Sequence, residues 1–239
     1  MSEPLPSDEA CRDRAPGTGL ARLGRVVRRL RAPGGCPWDR EQTLESLKPC
    51  LLEETYELLE AIDRGDLDHH AEELGDVLLQ VVFQCDIRAG RGEFDLDEVA
   101  HRASDKLVRR HPHVFADVAV ADSAEVLRNW ESIKKTERRA ATSALDAVAP
   151  TLPALLRAQQ IQSRAARMGH PWPAAEAAAD ALRSQAESAA TADADAIGDL
   201  LFTAVSLARA RGINAEDALR KATDRFREDF NRSHPAPAT

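Results

Sequence analysis

The stretch LLEETYELLEAIDRGDLDHHAEELGDVLLQVVF, Leu51 to Phe83, decides the fold. Its apolar residues recur every three or four positions, the period of an amphipathic helix. Gly65 interrupts the pattern, and Asp66 or Asp68 restarts it as a helix cap. Two helices joined by a tight turn are therefore expected, the first from about Leu44 to Arg64 and the second to about Ala89, stopping at Gly90. Five acids lie within these helices in two clusters: Glu53, Glu54 and Glu57, then Glu73 and Asp76. On a helical wheel Glu54 and Glu57 lie about 60° apart, and so do Glu73 and Asp76. Each pair flanks an apolar stripe: Leu44, Leu51, Leu58, Leu59 and Ile62 on the first helix, and Leu74, Val77, Leu78, Val81 and Cys85 on the second. Antiparallel packing through those stripes brings four carboxylates to one edge of the interface. Unneutralised, they repel. Hard cations bind carboxylate oxygen, so Mg²⁺ fits, with Mn²⁺ as a substitute. Acids spaced i, i+3 on a wet helix face are the plainer alternative. A di-iron bundle is disfavoured, because it needs Glu-x-x-His on two helices. His69, His70 and His113 have no ligand partner at useful spacing and are read as surface or capping residues.

Outside this stretch helical periods continue. Leu20–Arg31 forms a helix that stops at Pro33-Gly34-Gly35 and leads into the loop CPWDREQT. Further helices start at Asp95 or Asp97, reaching Arg110, and at Ser123, reaching Arg139. Thr142 to Pro153 reads as a linker. Beyond it come Ala154–Met168, Ala175–Ala190, Ala194–Arg211 and Ala215–Phe230. No segment alternates with period two, so the fold class is all-α with no sheet. The 239 residues are 43% hydrophobic and only 4% aromatic, which suits helices and a real core. A net charge of -8 argues against a generic nucleic-acid or membrane partner. The four cysteines show no C-x-x-C spacing, and Cys50 and Cys85, in apolar periodic runs, read as core thiols in a reducing, cytoplasmic compartment. No apolar run has membrane-spanning length, and the polar, Pro-bearing N-terminus is not a signal peptide.

The second half echoes the first. GDVLLQVVFQCDIRAG at Gly75 is answered by GDLLFTAVSLARARG at Gly198, and CPWD at Cys36 by HPWP at His170. DEVAHRASDKL at Asp97 is answered by EDALRKATDRF at Glu216. A duplicated helical module explains the echoes. The expected organisation is a tail over residues 1–19, a first module over 20–141, a linker over 142–153, a second module over 154–231 and a tail over 232–239.

Lys106, Arg109 and Arg110 close the third long helix. They form a local positive patch for a phosphate tail, or else merely complement the helix dipole. Trp130 and Lys134, at i, i+4, share a face. The ring suits stacking on a base and the ammonium suits phosphate, unless the Lys stem simply caps the Trp. Trp38 is read first as a loop anchor packed on the core, and second as a base contact.

The pattern E-E-x-x-E at Glu53–Glu57 followed by E-x-x-D at Glu73–Asp76 resembles the MazG family of nucleoside triphosphate pyrophosphohydrolases. GGCPWDREQT, SDKLVRRHPHVF and NWESIKKTER are similar to the family as well, and the likeness runs from about Leu20 to Phe230. The resemblance implies tandem four-helix-bundle modules, each completed by helices of a second chain in a homodimer. It implies Mg²⁺-dependent cleavage of a nucleoside triphosphate between the α and β phosphates, giving the monophosphate and pyrophosphate. Glu54, Glu57, Glu73 and Asp76 then hold metal, and Glu53 either supports those ligands or helps orient the water. Lys106 contacts nucleotide, and Arg109 is next to it in that role. A narrower dUTP or dCTP pyrophosphatase is a second reading, and a helical interaction protein with a vestigial site is a third.

The second module departs from the family pattern. Ser184, Gln185 and Ser188 stand where E-E-x-x-E is expected, and Ala196 and Asp199 where E-x-x-D is expected. Arg225 replaces Lys106, but Glu228 and Asp229 replace Arg109 and Arg110. Its apolar stripe survives, so the second module is expected to be a structural or regulatory copy, with catalysis in the first.

Overall fold

The structure, a computed structural model, describes Ser7, Ala15 and residues 17–137, 145–188 and 193–234. The expected tails fall largely outside these residues, as does the expected helix end at Arg139. The described residues form eleven helices and no strand. They divide into two compact units, Met1–Lys135 and Thr136–Thr239.

The first unit opens with α1 (Gly19–Arg31) and a short α2 (Pro37–Glu41). Then come the long hairpin α3 (Leu47–Arg64) and α4 (Leu67–Ala89), α5 (Leu96–Arg110), a short α6 (Pro112–Phe115) and α7 (Ser123–Glu137). Both short helices start on a proline, where the missing N–H costs no hydrogen bond. Helical periodicity cannot reveal a segment of four or five residues.

α3 begins three residues later than the apolar pattern suggests. Pro49 sits in its first turn, where proline is tolerated. A start at Leu44 would put the ring inside the helix, against the carbonyl of Glu45. The chain turns instead at Thr43 and Ser46, whose hydroxyls accept from each other's backbone N–H at 3.1 and 2.9 Å. Gly65 ends α3 in the left-handed region at φ 68°, donating to Ala61 O and Ile62 O. Asp66 caps α4, accepting from the N–H groups of Asp68 and His69. This two-residue connection folds α4 back along α3.

The core of this unit lies at the end of the hairpin away from Gly65. Val27, Leu47, Val82, Phe83 and Ile87 are buried there, with Leu23, Leu44, Leu79 and Leu96 packed around them. Beside it lies a groove of about 380 Å³ lined by Leu44, Leu51, Val81, Gln84, Cys85, Arg88 and Phe94. Cys85 is buried, while Cys36 and Cys50 are half-buried, and all three are free thiols.

The second unit holds α8 (Ala154–Arg167), the hairpin α9 (Ala175–Ser188) and α10 (Ala194–Ala210), and α11 (Ala215–Ser233). Gln162 of α8 is fully buried and donates to Phe202 O at 2.8 Å. Gln159 donates to Ile213 O at 2.9 Å and accepts from Ala215 N at 2.8 Å, tying α8 to the start of α11. Val148, within the expected linker, is also buried.

Candidate metal centre

Within the hairpin, the buried or half-buried line on α3 runs Leu47, Leu51, Glu54, Leu58, Ala61. On α4 it runs Glu73, Asp76, Val77, Gln80, Phe83, Ile87. Both have the three-and-four spacing of a helix–helix seam. This corrects the expected stripes in part: their Leu51, Leu58 and Val77 do lie on the seam. The helices do not meet through Leu59, Ile62, Leu74, Leu78 and Val81, all of which are exposed large apolar residues. They meet along lines that contain acids, so carboxylates lie in the seam itself.

One oxygen each of Glu54, Glu57 and Glu73 falls within 4.8 Å of the others. Glu73 is only 5% exposed, Glu54 is half-buried and Glu57 is exposed, so the cluster opens to solvent on one side. Asp76 is not one of these three. It stands close enough that its charge helps raise the Glu54 carboxyl. Burial is the largest cause of that rise, followed by Asp76, Glu57, Glu73 and Glu53. The Glu73 carboxyl is likewise pushed above the usual carboxylate range, by burial first and then by Glu57, with His69 opposing. Glu73 Oε2 is buried with no hydrogen-bond partner among the described residues. A buried carboxylate oxygen left unsatisfied is unusual, and an all-oxygen donor set around it suits a hard divalent cation.

Two residues here escaped the sequence reading. His69 is more than a surface or capping residue. Its backbone N–H does serve the cap, but its ring Nδ1 lies 3.3 Å from Glu73 Oε1. The i, i+4 spacing was the available signal. Gln80, seven residues after Glu73 on the same line, is 7% exposed with Oε1 unpartnered among the described residues.

The remaining candidates sit elsewhere. Glu53 is exposed on α3 beside the cluster. Lys106 and Arg109 are exposed near the C-terminus of α5, a helix with no buried residue. Trp130 is half-buried, and its partner is Arg110, whose guanidinium lies 5.3 Å from the ring centroid. The Lys134 side chain lies outside the described residues. Trp38 overturns its first reading. It is 60% exposed and does not anchor the loop on the core. Pro37 starts α2, and Arg31 anchors the loop by donating to Asp39 O at 2.9 Å.

In the second unit Asp193 caps α10, accepting from Ala196 N, and no metal-type cluster forms among the described residues.

An all-α hairpin that turns three carboxylates together thus offers one site able to hold a hard cation. Residues 42–115, which span that hairpin, match the MazG nucleotide pyrophosphohydrolase domain. A nucleoside triphosphate pyrophosphohydrolase of Escherichia coli (strain K12) is 45% identical over 224 residues, covering 88% of this chain and 85% of that protein. The nucleoside triphosphate pyrophosphohydrolase/pyrophosphatase MazG of Thermotoga maritima is 42% identical over 213 residues, covering 87% and 82%. The chain belongs to the MazG family of nucleoside triphosphate pyrophosphohydrolases. Among the described residues no helix is long and apolar enough to cross a membrane.

Proposed function

We propose that the first module hydrolyses nucleoside triphosphates between the α and β phosphates with Mg²⁺, and that the second module is a non-catalytic copy. The convergence of Glu54, Glu57 and Glu73 within 4.8 Å, with Glu73 Oε2 buried and unpartnered, carries this reading. Glu54, Glu57, Glu73 and Asp76 would hold the metal, and Mn²⁺ would substitute. When bound, the metal supplies charge neutralisation on the triphosphate.

The chain's own residues supply the rest. Glu53, beside the cluster and open to solvent, positions the attacking water, and a site carboxylate accepts its proton. Water adds to the α-phosphorus, the bond to the bridging oxygen breaks, and pyrophosphate leaves. Lys106 and Arg109 bind the phosphate tail. Trp130, held by Arg110, and the exposed Trp38 offer apolar faces to the base. Lys134 is assigned to phosphate by its spacing from Trp130.

The module works as a dimer in this reading. Leu52, Tyr56 and Leu59 of α3 and Leu67, Leu74, Leu78 and Val81 of α4 are exposed on the hairpin. Such stripes are covered in a stable soluble protein, here by a second copy. A cytoplasmic location accords with Cys36, Cys50 and Cys85 as free thiols.

The test is pyrophosphate release from the full chain with Mg²⁺ and a panel of ribo- and deoxyribonucleoside triphosphates. Release from several bases fits a general pyrophosphohydrolase, and release from dUTP or dCTP alone fits the narrower enzyme. No pyrophosphate from any of them, with Mg²⁺ or Mn²⁺, sinks the proposal.

A further inference from the structure

Arg31, the last residue of α1, joins three parts of the first unit. Its Nε donates to Asp86 Oδ2 on α4 at 2.8 Å, and its Nη1 donates to Asp39 O on α2 at 2.9 Å. Its guanidinium also lies over the Phe83 ring, 5.0 Å from the centroid. The two ion-pair side chains are 17% and 18% exposed, so water screens them little. The backbone reinforces the link, with Cys36 N donating to Leu30 O and Gly35 N to Ala32 O, each at 2.8 Å. The fit at Gly35 is tight: a Cβ there would lie 2.2 Å from Leu30 O. Held this way, α2 carries Trp38 outward, leaving a large apolar ring in water at a cost in burial free energy.

The second unit shows the alternative. HPWP answers CPWD, and His170 N donates to Ala165 O at 3.0 Å much as Cys36 N does to Leu30 O. Counted back five residues from HPWP, as Arg31 is from CPWD, the position holds Ala165. Arg209 stands where Asp86 does, each eleven residues beyond the matching Gly198 and Gly75. There the ring turns inward. The Arg209 guanidinium lies 5.2 Å from the Trp172 centroid, and Trp172 packs 6.0 Å from Phe202. Trp172 Nε1 is buried. An arginine on the long helix draws the ring onto it. An aspartate there offers the ring nothing and takes Arg31 instead, and Arg31 then holds the loop by its carbonyl.

We propose that Arg31 is a positioning residue that keeps Trp38 out of the body of the first module, so that the ring is available to the nucleotide base. This rests on the nucleotide reading above. The test uses the full chain labelled with 5-fluorotryptophan, with the Trp38 fluorine signal assigned through Trp38→Phe. Arg31→Lys keeps a charge beside Asp86, but one nitrogen replaces the separate Nε and Nη1 that reach Asp86 and Asp39 O. The Trp38 signal should shift and lose its H₂O/D₂O isotope effect. KM for a nucleoside triphosphate should rise roughly tenfold, with kcat changed less than about twofold. Mn²⁺ affinity should stay the same. Asp86→Asn, which loosens Arg31 without removing it, should move signal and KM in the same direction by less, and it stands in if Arg31→Lys does not fold. An unmoved Trp38 signal overturns the proposal, as does a moved signal with unchanged KM, or a parallel fall in kcat and Mn²⁺ affinity. If the parent hydrolyses no nucleotide, the functional reading fails, while the fluorine signal still decides whether Arg31 holds the ring outward.

Discussion

At Glu73 the chain holds a carboxylate where an apolar side chain would normally pack. Burial and the charges of Glu57 and Asp76 raise its pKa, and Glu54 is raised by the same kinds of cause. The folded state therefore binds protons that the unfolded chain has already released. Stability then falls as pH rises from the usual carboxylate range through the raised values. In metal-free buffer at neutral pH, Glu73→Gln should melt at a higher temperature than the parent. The gap should close as the pH is lowered into the usual carboxylate range. Thermal melts with chelator check this, and a variant less stable than the parent at neutral pH contradicts it. Added Mg²⁺ should reverse the order, because it stabilises the parent by mass action and the variant less. Glu57→Ala or Asp76→Ala should cut pyrophosphate release by roughly a hundredfold or more if these carboxylates hold the metal. These residues were legible in the sequence because i, i+3 spacing is local. The His69 contact is local too, at i, i+4, but it joins a ring nitrogen to a carboxylate and has no metal-ligand spacing to mark it.

The α3–α4 hairpin is the element on which the site depends. Glu57 and Glu73 lie on opposite sides of a two-residue connection, so the angle of that turn sets their separation. Gly65 adopts φ 68°, and a Cβ there meets no atom within 4 Å. Only backbone strain therefore opposes a side chain. Gly65→Ala should cost about 1 kcal/mol in urea unfolding. It should also weaken Mn²⁺ binding measured by calorimetry, whereas unaltered binding would mean that the turn does not govern the cluster. The connection was readable from Gly65 and Asp66. The start of α3 was not, because apolar period alone ignores what Pro49 requires.

Across the whole molecule there are two compact units and one carboxylate cluster among the described residues. Asp199→Ala should leave pyrophosphate release within about twofold of the parent, since a lone carboxylate does not hold Mg²⁺ tightly. Loss of activity in that variant would move catalysis to the second module. The stripes of Leu52, Tyr56 and Leu59 and of Leu74, Leu78 and Val81 should bury against a second copy. Light scattering should give a dimer or larger at micromolar concentration, and Leu74→Glu with Leu78→Glu should shift it towards monomer. A well-folded parent monomer under those conditions would contradict the dimer.

The sequence by itself determined the all-helical class, the hairpin with its turn, and the carboxylate pairs, because helix period, caps and i, i+3 neighbours are properties of short segments. It also determined that the second module lacks most of those carboxylates. Tertiary structure alone decided which face of each helix enters the seam. Apolar periodicity says that a stripe avoids water, but it does not say whether the same chain or another covers it. Of the expected stripes Leu51, Leu58 and Val77 enter the seam, joined there by Glu54 and Glu73, while Leu59, Ile62, Leu74, Leu78 and Val81 stay exposed. Tertiary structure also decided the fate of the two tryptophans. Arg31 and Asp86 are 55 residues apart and meet only once α1 lies against α4. With that pair made, Trp38 stays outside. With Arg209 in the place of Asp86, Trp172 folds in.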